Sequence, residues 1–252
     1  MPLTIPANLL AIPGVQPLEL EVADVADLGP RMRRITLHGP NLDTFQYQPG
    51  QDLMLVLAQS GDRALCRRYT IRRHDPHQRT LELNIVTHGV DGIGARWASS
   101  ARPGDRVSGV GPRGKIFVNP TADWHLFLGD ESAAAATLAM LEALPTGRPA
   151  MAYLEVTDAR DELPHSSAGS VTWLHRGDVP APRSTLLADA LAKSDLPDGS
   201  GQVYINGEVQ LVSTLRPAAL ERGLAPDQVA FKAYWGRGKA NAGNGEPEQR
   251  PV

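Results

Sequence analysis

The chain has 252 residues, a formal net charge of −3 and a sequence pI near 6.2. Hydrophobic residues at 42% and charged residues at 21% exclude a wholly disordered chain, and the acidic balance weighs against a general nucleic-acid binder, which is ordinarily basic. The lone cysteine, Cys66, can form neither an internal disulfide nor a four-cysteine zinc or iron–sulfur site, so any redox centre has to be organic or supplied by a partner.

The first residues, MPLTIPANLLAIPGVQ, carry no basic stretch and are broken by Pro2, Pro6 and Pro13, unlike a signal peptide. No apolar run is long enough to cross a bilayer. A cytoplasmic protein with no membrane partner is expected, and a reducing compartment suits its cysteine usage. From residue 18 the pattern is that of an antiparallel β protein. Leu18, Leu20 and Val22 alternate with Glu19 and Glu21, and further strands are predicted over 34–38, 52–57, 69–72, 81–86 and 106–110. Gly39-Pro40-Asn41, Pro49-Gly50, Ser60-Gly61-Asp62, His74-Asp75-Pro76 and Pro103-Gly104-Asp105 supply the turns. Short strands at this spacing predict a barrel or sandwich, interrupted by one helix over 93–100.

The rhythm changes near Pro120. Predicted strands over 124–128, 151–156, 171–175, 202–206 and 229–234 alternate with helices over 133–144, 186–193 and 208–221. That is the pattern of βαβ units and a parallel sheet, whose ligands bind at the carboxyl ends of the strands. The predicted organisation is an N-terminal antiparallel Greek-key β-barrel over residues 16–120 and a C-terminal α/β domain over 121–238. The polar tail, 239–252, is expected to be disordered.

The densest chemistry lies in Arg67-Arg68-Tyr69-Thr70-Ile71-Arg72. Strand alternation places Arg68, Thr70 and Arg72 on one face and Arg67, Tyr69 and Ile71 on the other. A ring, a hydroxyl and several guanidinium groups suit a flat cofactor carrying a pyrophosphate. From spacing alone, an edge strand with a basic exposed face explains the segment equally well.

Arg67-x-Tyr69-Thr70 resembles the flavin motif of the ferredoxin–NADP reductase superfamily, and its longer form resembles the siderophore-interacting proteins, a family of FAD-dependent ferric-siderophore reductases. Further segments resemble that family in order: His88-Gly89 with Gly92-Ile93-Gly94-Ala95-Arg96-Trp97-Ala98; Pro103-Gly104-Asp105; Gly111-Pro112-Arg113-Gly114; Asp123-Trp124; Gly129-Asp130-Glu131-Ser132-Ala133; Glu155-Val156; and Tyr234-Trp235-x-Arg237-Gly238. The resemblance spans residues 18–238.

It implies that Arg67, Tyr69, Thr70 and Arg72 contact the flavin of FAD, with Tyr69 near the ring and Thr70 near its redox-active edge. His88, Gly89 and the backbone of Gly92, Ile93, Gly94 and Ala95 would meet the pyrophosphate, which free N–H groups at a helix start can bind. Trp97 reads as core. Gly129, Asp130, Glu131 and Ser132 would admit a nicotinamide dinucleotide, NADPH or NADH, although a G-x-G-x-x-G fingerprint is absent. The dipole of the following helix accounts equally for the two acids. Asn206-Gly207-Glu208 resembles the family's Ala-Gly-Glu, with the larger Asn206 tightening the nicotinamide site, or serving as a helix cap. The resemblance places Tyr234 or Trp235 over the flavin face until nicotinamide displaces it; aromatic closure of the sheet edge explains them nearly as well. Tyr69, Thr70 and Trp235 are the residues expected to serve the reaction.

A basic cluster of Arg34, Arg113, Lys115, Arg237 and Lys239 is the candidate site for an anionic ferric siderophore, although ordinary solvated charge accounts for each one singly. The histidines form no metal constellation. Glu155 and Asp158 argue for NADH; Arg160 and Arg176 argue for NADPH, towards which the short C-terminal tail, similar to that of NADPH-using members, tilts the expectation. A monomer is expected. Two alternatives stand beside the siderophore reductase: a reductase working with a ferredoxin-type partner, and a flavin- or siderophore-binding module without turnover.

Overall fold

The computed structural model describes residues 3–61, 63–87, 92–236 and 239–240. The chain divides into two compact units, Met1–Gly114 and Lys115–Val252.

The first unit opens with a short helical turn, α1 (Ala7–Leu10), and continues with β1 (Gln16–Gly29), β2 (Met32–His38), β3 (Asp52–Ser60), β4 (Arg63–Thr70), β5 (Arg73–Asp75), β6 (Thr80–Val86), α2 (Ile93–Ser100) and β7 (Arg106–Arg113). These strands form one sheet in the order β4-β3-β7-β1-β2-β6-β5, antiparallel at every pairing. The outermost strands, β4 and β5, are consecutive in the chain. The two residues between them pair to both sides: the Ile71 N–H donates to Gln51 O at 3.0 Å and the Arg72 N–H to Glu82 O at 2.8 Å. This link joins the two outer strands and closes the sheet into a barrel-like unit.

Alternation fills the barrel. Leu18, Leu20, Ile35, Leu37, Leu53, Leu55, Leu81 and Leu83 are buried in one cluster, each worth about 2 kcal/mol of transfer free energy. Arg33 projects from β2 to the last turn of α2, donating from Nη1 to Ala98 O (2.9 Å) and Ser99 O (2.6 Å). Two otherwise unsatisfied helix carbonyls thereby gain a cationic partner.

One strand differs from its sequence expectation. The predicted strand over 69–72 is the last part of β4, which ends at Thr70, and the predicted turn at His74-Asp75 is the end of β5. Residues 63–68 contain little apolar alternation. They join the sheet through the backbone ladder to β3, with a bulge between Val56 and Ala58, and a ladder of that kind leaves no hydrophobic signature.

The second unit contains β8 (Trp124–Asp130), α3 (Ala134–Glu142), β9 (Ala150–Val156), β10 (Ser170–His175), α4 (Leu186–Lys193), β11 (Gly201–Glu208), α5 (Val209–Glu221), β12 (Val229–Gly236) and the two-residue β13 (Lys239–Ala240). Its sheet runs β10-β9-β8-β11-β12-β13, parallel except for the last pairing. The chain builds outward from β8 to β9 and β10 on one side, then to β11 and β12 on the other, so the strand order reverses between β8 and β11. In an open α/β sheet this is where ligands bind. The first residues of the predicted tail, Lys239 and Ala240, pair with β12; residues 241–252 lie outside the described set.

Every residue of β8 and β11 is buried, as expected of central parallel strands covered on both faces. On one face Trp124, Leu126, Leu128, Val203 and Ile205 pack with Leu187, Leu191, Leu211 and Leu215 from α4 and α5. On the other His125, Phe127 and Tyr204 stack, with Phe127 and Tyr204 ring centroids 4.6 Å apart. Among the described residues no helix is long and apolar enough to cross a membrane.

Burial, and secondarily the charge of Arg148, push the His125 imidazole down to about 4. The folded chain therefore gives up a proton that the unfolded chain holds. The stability this residue contributes is complete above the ordinary imidazole value of 6.5 and is lost as pH falls through about 4. Chemical denaturation at pH 7 and pH 4.5 should show the wild type losing more stability on acidification than His125→Phe, which keeps the ring stack but cannot titrate.

Candidate functional site

In the first unit the motif is set by the β3–β4 register. Asp52 faces Thr70 and Met54 faces Arg68, while Leu53 faces Tyr69 and Leu55 faces Arg67. Arg68 is committed within the barrel wall, making two hydrogen bonds to Asp52 at 2.9 and 2.6 Å. Gly114, at φ +93°, leaves only 3.3 Å between a would-be Cβ and the same carboxylate. Arg113 is opposite Asp52 on β7 and its Nη1 lies 3.0 Å from Met54 Sδ. Thr70 is half-buried at the end of β4, and Arg72 is buried just beyond it.

Arg67 and Tyr69 face α2. Tyr69 stacks on Trp97 with centroids 6.1 Å apart and planes at 28°, and Trp97 packs against the barrel core, as expected from the sequence. The Tyr69 hydroxyl is buried without a hydrogen-bond partner, and burial raises its pKa. A Cβ on Gly94 would overlap that hydroxyl and stand 3.4 Å from Arg67 Cγ, so any other residue here has to displace the hydroxyl end of Tyr69. The helix begins at Gly92 in extended conformation, with no side-chain cap; nothing lies within 4 Å of a Cβ there. Ile93 and Ala95 complete the turn, both half-buried. An aromatic ring, an unpaired hydroxyl, a guanidinium group and an uncapped helix start thus share one corner. Uncapped N–H groups with a favourable dipole suit an anion, and the ring suits a planar aromatic group. His88 and Gly89 lie outside the described residues. Burial also raises the pKa of the neighbouring Cys66 thiol, against the lowering effect of Arg67 and Arg113.

In the second unit the carboxyl ends of β8, β11 and β12 converge on Asp130. Its side chain is wholly buried. Oδ1 accepts from Ser132 N (2.9 Å) and Ser132 Oγ (2.5 Å); Oδ2 accepts from Glu208 N (2.8 Å) and Trp235 Nε1 (3.0 Å). Burial, then repulsion from Glu131, push this carboxyl up to about 6. Gly207 has φ +138°, and a Cβ there would sit 2.8 Å from the Asp130 carboxylate. Glu208 caps α5 by accepting from Gln210 N and Leu211 N. Gly129 leaves α3 room to approach, since its Cβ would meet Ala133 and the Asn206 carbonyl. Asn206 is 1% exposed and its Oδ1 has no hydrogen-bond partner. The helix cap is therefore Glu208, not Asn206. Tyr234 is half-buried, with Lys232 Nζ 5.5 Å from its ring centroid.

The charged residues weighed for donor choice are engaged with one another. Glu131 takes Arg176 through two 2.7 Å bonds, and both side chains are buried. Arg176 also approaches Glu155 at 3.8 Å, and Ser184 Oγ donates to Glu155 at 2.7 Å. Asp158 pairs with Arg160 at the surface. Neither the acid at the end of β9 nor the arginine after β10 is presented as a ribose or phosphate ligand.

Of the five cations expected to gather around a chelate, the side chains of Arg34, Arg113 and Lys115 are among the described residues. Arg34 pairs with Asp24 at 3.4 Å on β2, with β1, β7 and β3 between it and β4 in the sheet order. Arg113 stands beside the Asp52–Arg68 pair, and Lys115 is exposed. Arg237 and the Lys239 side chain lie outside the described residues. Among the described residues no group of three or more His, Cys, Asp and Glu side chains could hold a metal ion. The sequence offers Asp130 as part of the dinucleotide turn; its hydrogen bonds to Glu208 N and Trp235 Nε1 leave no trace there.

Residues 54–116 match the family model for the siderophore-interacting FAD-binding domain, and residues 122–238 match that for siderophore-interacting protein. An uncharacterized protein of Mycobacterium tuberculosis is 33% identical over 254 residues, covering 87% of this chain and 90% of that protein. The ferric vibriobactin reductase ViuB of Vibrio cholerae is 28% identical over 214 residues, covering 80% and 78%. The crystal structure of a siderophore utilization protein from T. fusca superposes with a TM-score of 0.79 at 31% identity, covering 90% of this chain and 95% of that one.

Gly207→Ala should destabilise the protein by about 1–3 kcal/mol in denaturant titration, because the new methyl meets a buried carboxylate and φ is unsuited to alanine. Gly92→Ala, where the space is open, should change stability by less than about 0.5 kcal/mol.

Proposed function

The chain belongs to the siderophore-interacting protein family, and we propose that it is an FAD-dependent oxidoreductase that uses NADPH or NADH to reduce ferric siderophores and so release iron inside the cell. The observation that carries this reading is the corner formed by Arg67, Tyr69 and the start of α2. A buried phenol oxygen without a partner normally costs stability; a ligand that supplies its partner removes that cost.

The residues present fit FAD. Tyr69, braced from behind by Trp97, offers a ring face to the isoalloxazine, and Thr70 offers a hydroxyl at the end of the same strand. Arg67 and the free N–H groups of the first turn of α2 suit the pyrophosphate. Bound FAD would supply the central chemistry, accepting two electrons together and passing them on singly, which matches a dinucleotide donor to one-electron ferric acceptors. In the second unit the dinucleotide would bind at the switch point, beside the turn that carries Ser132, while Gly129 and Gly207 let α3 and the Asp130 carboxylate pack closely around it. No side chain is required as a general acid or base. Ferric iron is held far more tightly than ferrous iron by siderophores, so reduction itself frees the metal.

The FAD-loaded protein should be bleached anaerobically by NADPH or NADH, and a ferric catecholate added next should restore the oxidised spectrum while an Fe(II) trap captures iron. Absence of bleaching by either nucleotide overturns the reading and leaves a protein electron donor or a binding role. Gly94→Ala should weaken FAD affinity by about tenfold or more, roughly 1.4 kcal/mol, by displacing the Tyr69 hydroxyl, with the circular dichroism of the apoprotein unchanged.

A further inference from the structure

The Asp130–Trp235 hydrogen bond crosses the place where a ligand would enter. Asp130 ends β8 and Trp235 lies near the end of β12, with β11 between those strands. Trp235 is in register with Glu208 on β11, yet its Nε1 reaches Asp130 Oδ2 at 3.0 Å. The indole therefore spans the carboxyl end of β11, beside the switch point between β8 and β11, where α/β sheets take their ligands.

The four donors to Asp130 are not equivalent. Ser132 N and Oγ belong to the turn directly after β8, and Glu208 N is held at the start of α5. Trp235 Nε1 belongs to a half-buried side chain near the end of β12, away from the turn and the helix start that hold the other donors. Asp130 is at 0% exposure with the indole in place, so releasing the indole gives up a hydrogen bond made in a site screened from water. The nearby Arg176 spends its hydrogen bonds on Glu131 and Thr157 and acts on Asp130 only through space. A hydrogen bond to a buried charged acceptor is among the costly ones to break.

We propose that the Asp130–Trp235 hydrogen bond is a latch: Asp130 is a positioning residue that holds the Trp235 indole across the dinucleotide crevice and thereby sets the affinity for the nicotinamide dinucleotide. This rests on the reading above that a dinucleotide binds at the carboxyl ends of β8 and β11. Binding then includes the cost of releasing the indole, and removing either partner of the latch lowers that cost.

The test is equilibrium binding of NAD+ and NADP+ to the FAD-loaded protein by titration calorimetry, with no turnover involved. Trp235→Phe removes the N–H and keeps a ring. It should tighten the preferred dinucleotide by about tenfold, the scale of one hydrogen bond to a charged group. Asp130→Asn should also tighten binding, but for two reasons, since it removes both the latch and a negative charge near an anionic ligand. The double-mutant cycle separates them: adding Asp130→Asn to Trp235→Phe should then change affinity much less than adding it to the wild type. ADP-ribose, which has no nicotinamide ring to take the indole's place, should bind Trp235→Phe within about twofold of the wild type, whereas a general loosening of the site would move both ligands. Unchanged or weaker dinucleotide binding by Trp235→Phe, or full additivity in the cycle, overturns the latch. Failure of the wild type to bind either dinucleotide overturns the dinucleotide site itself. Trp235→Phe alone decides the question should Asp130→Asn fail to fold.

Discussion

A carboxylate with no access to water organises the end of the second unit's sheet. Asp130 accepts hydrogen bonds from the turn after β8, from the start of α5 and from the indole at the end of β12, and Gly207 has to be glycine to pass beside it. Three separately arriving segments are thereby held in one arrangement. Burying a charge is costly unless its hydrogen bonds are complete, and here completeness requires all three segments to be in place. Burial and the neighbouring Glu131 push this carboxyl upward, in the direction expected when donors offset a desolvation cost only in part. Next to it, Glu131, Arg176 and Glu155 form a second buried polar group, which keeps these charges from acting as surface ligands.

The first unit solves a different problem. Its barrel is closed by two residues, Ile71 and Arg72, which pair to strands on both sides, and the motif immediately before them is therefore held on a closed, rigid wall. Of its arginines, Arg68 is consumed by Asp52, while Arg67 lies with Tyr69 at the start of α2. Arg33 secures the other end of the same helix.

Much of this was legible in the residue order. The alternation of Leu18, Leu20 and Val22 and the apolar runs of 124–128 and 202–206 identify a barrel followed by a parallel sheet, because burial on one face or on two leaves a period in the sequence. The bounds of α2 follow from the glycine that precedes it and the proline that follows. The 63–70 strand was partly hidden, since backbone pairing of polar residues has no periodicity. Glu155 and Arg176 looked like opposing cues to the donor, and only side-chain placement shows them bound into one network. Trp235 was legible as an aromatic at the end of the last strand, but its partner was not, because Asp130 precedes it by more than a hundred residues.

Residue order by itself determined the class of fold, the family resemblance and the segment proposed to meet a flavin, since these depend on local pattern and short motifs. Tertiary structure alone decided which arginine of the motif is spent on Asp52, what a side chain at Gly94 or Gly207 would meet, and that one buried carboxylate joins three strand ends. Those outcomes depend on which atoms meet across distant parts of the chain, and on how far water is excluded when they do. Neither quantity is written in any short stretch of sequence.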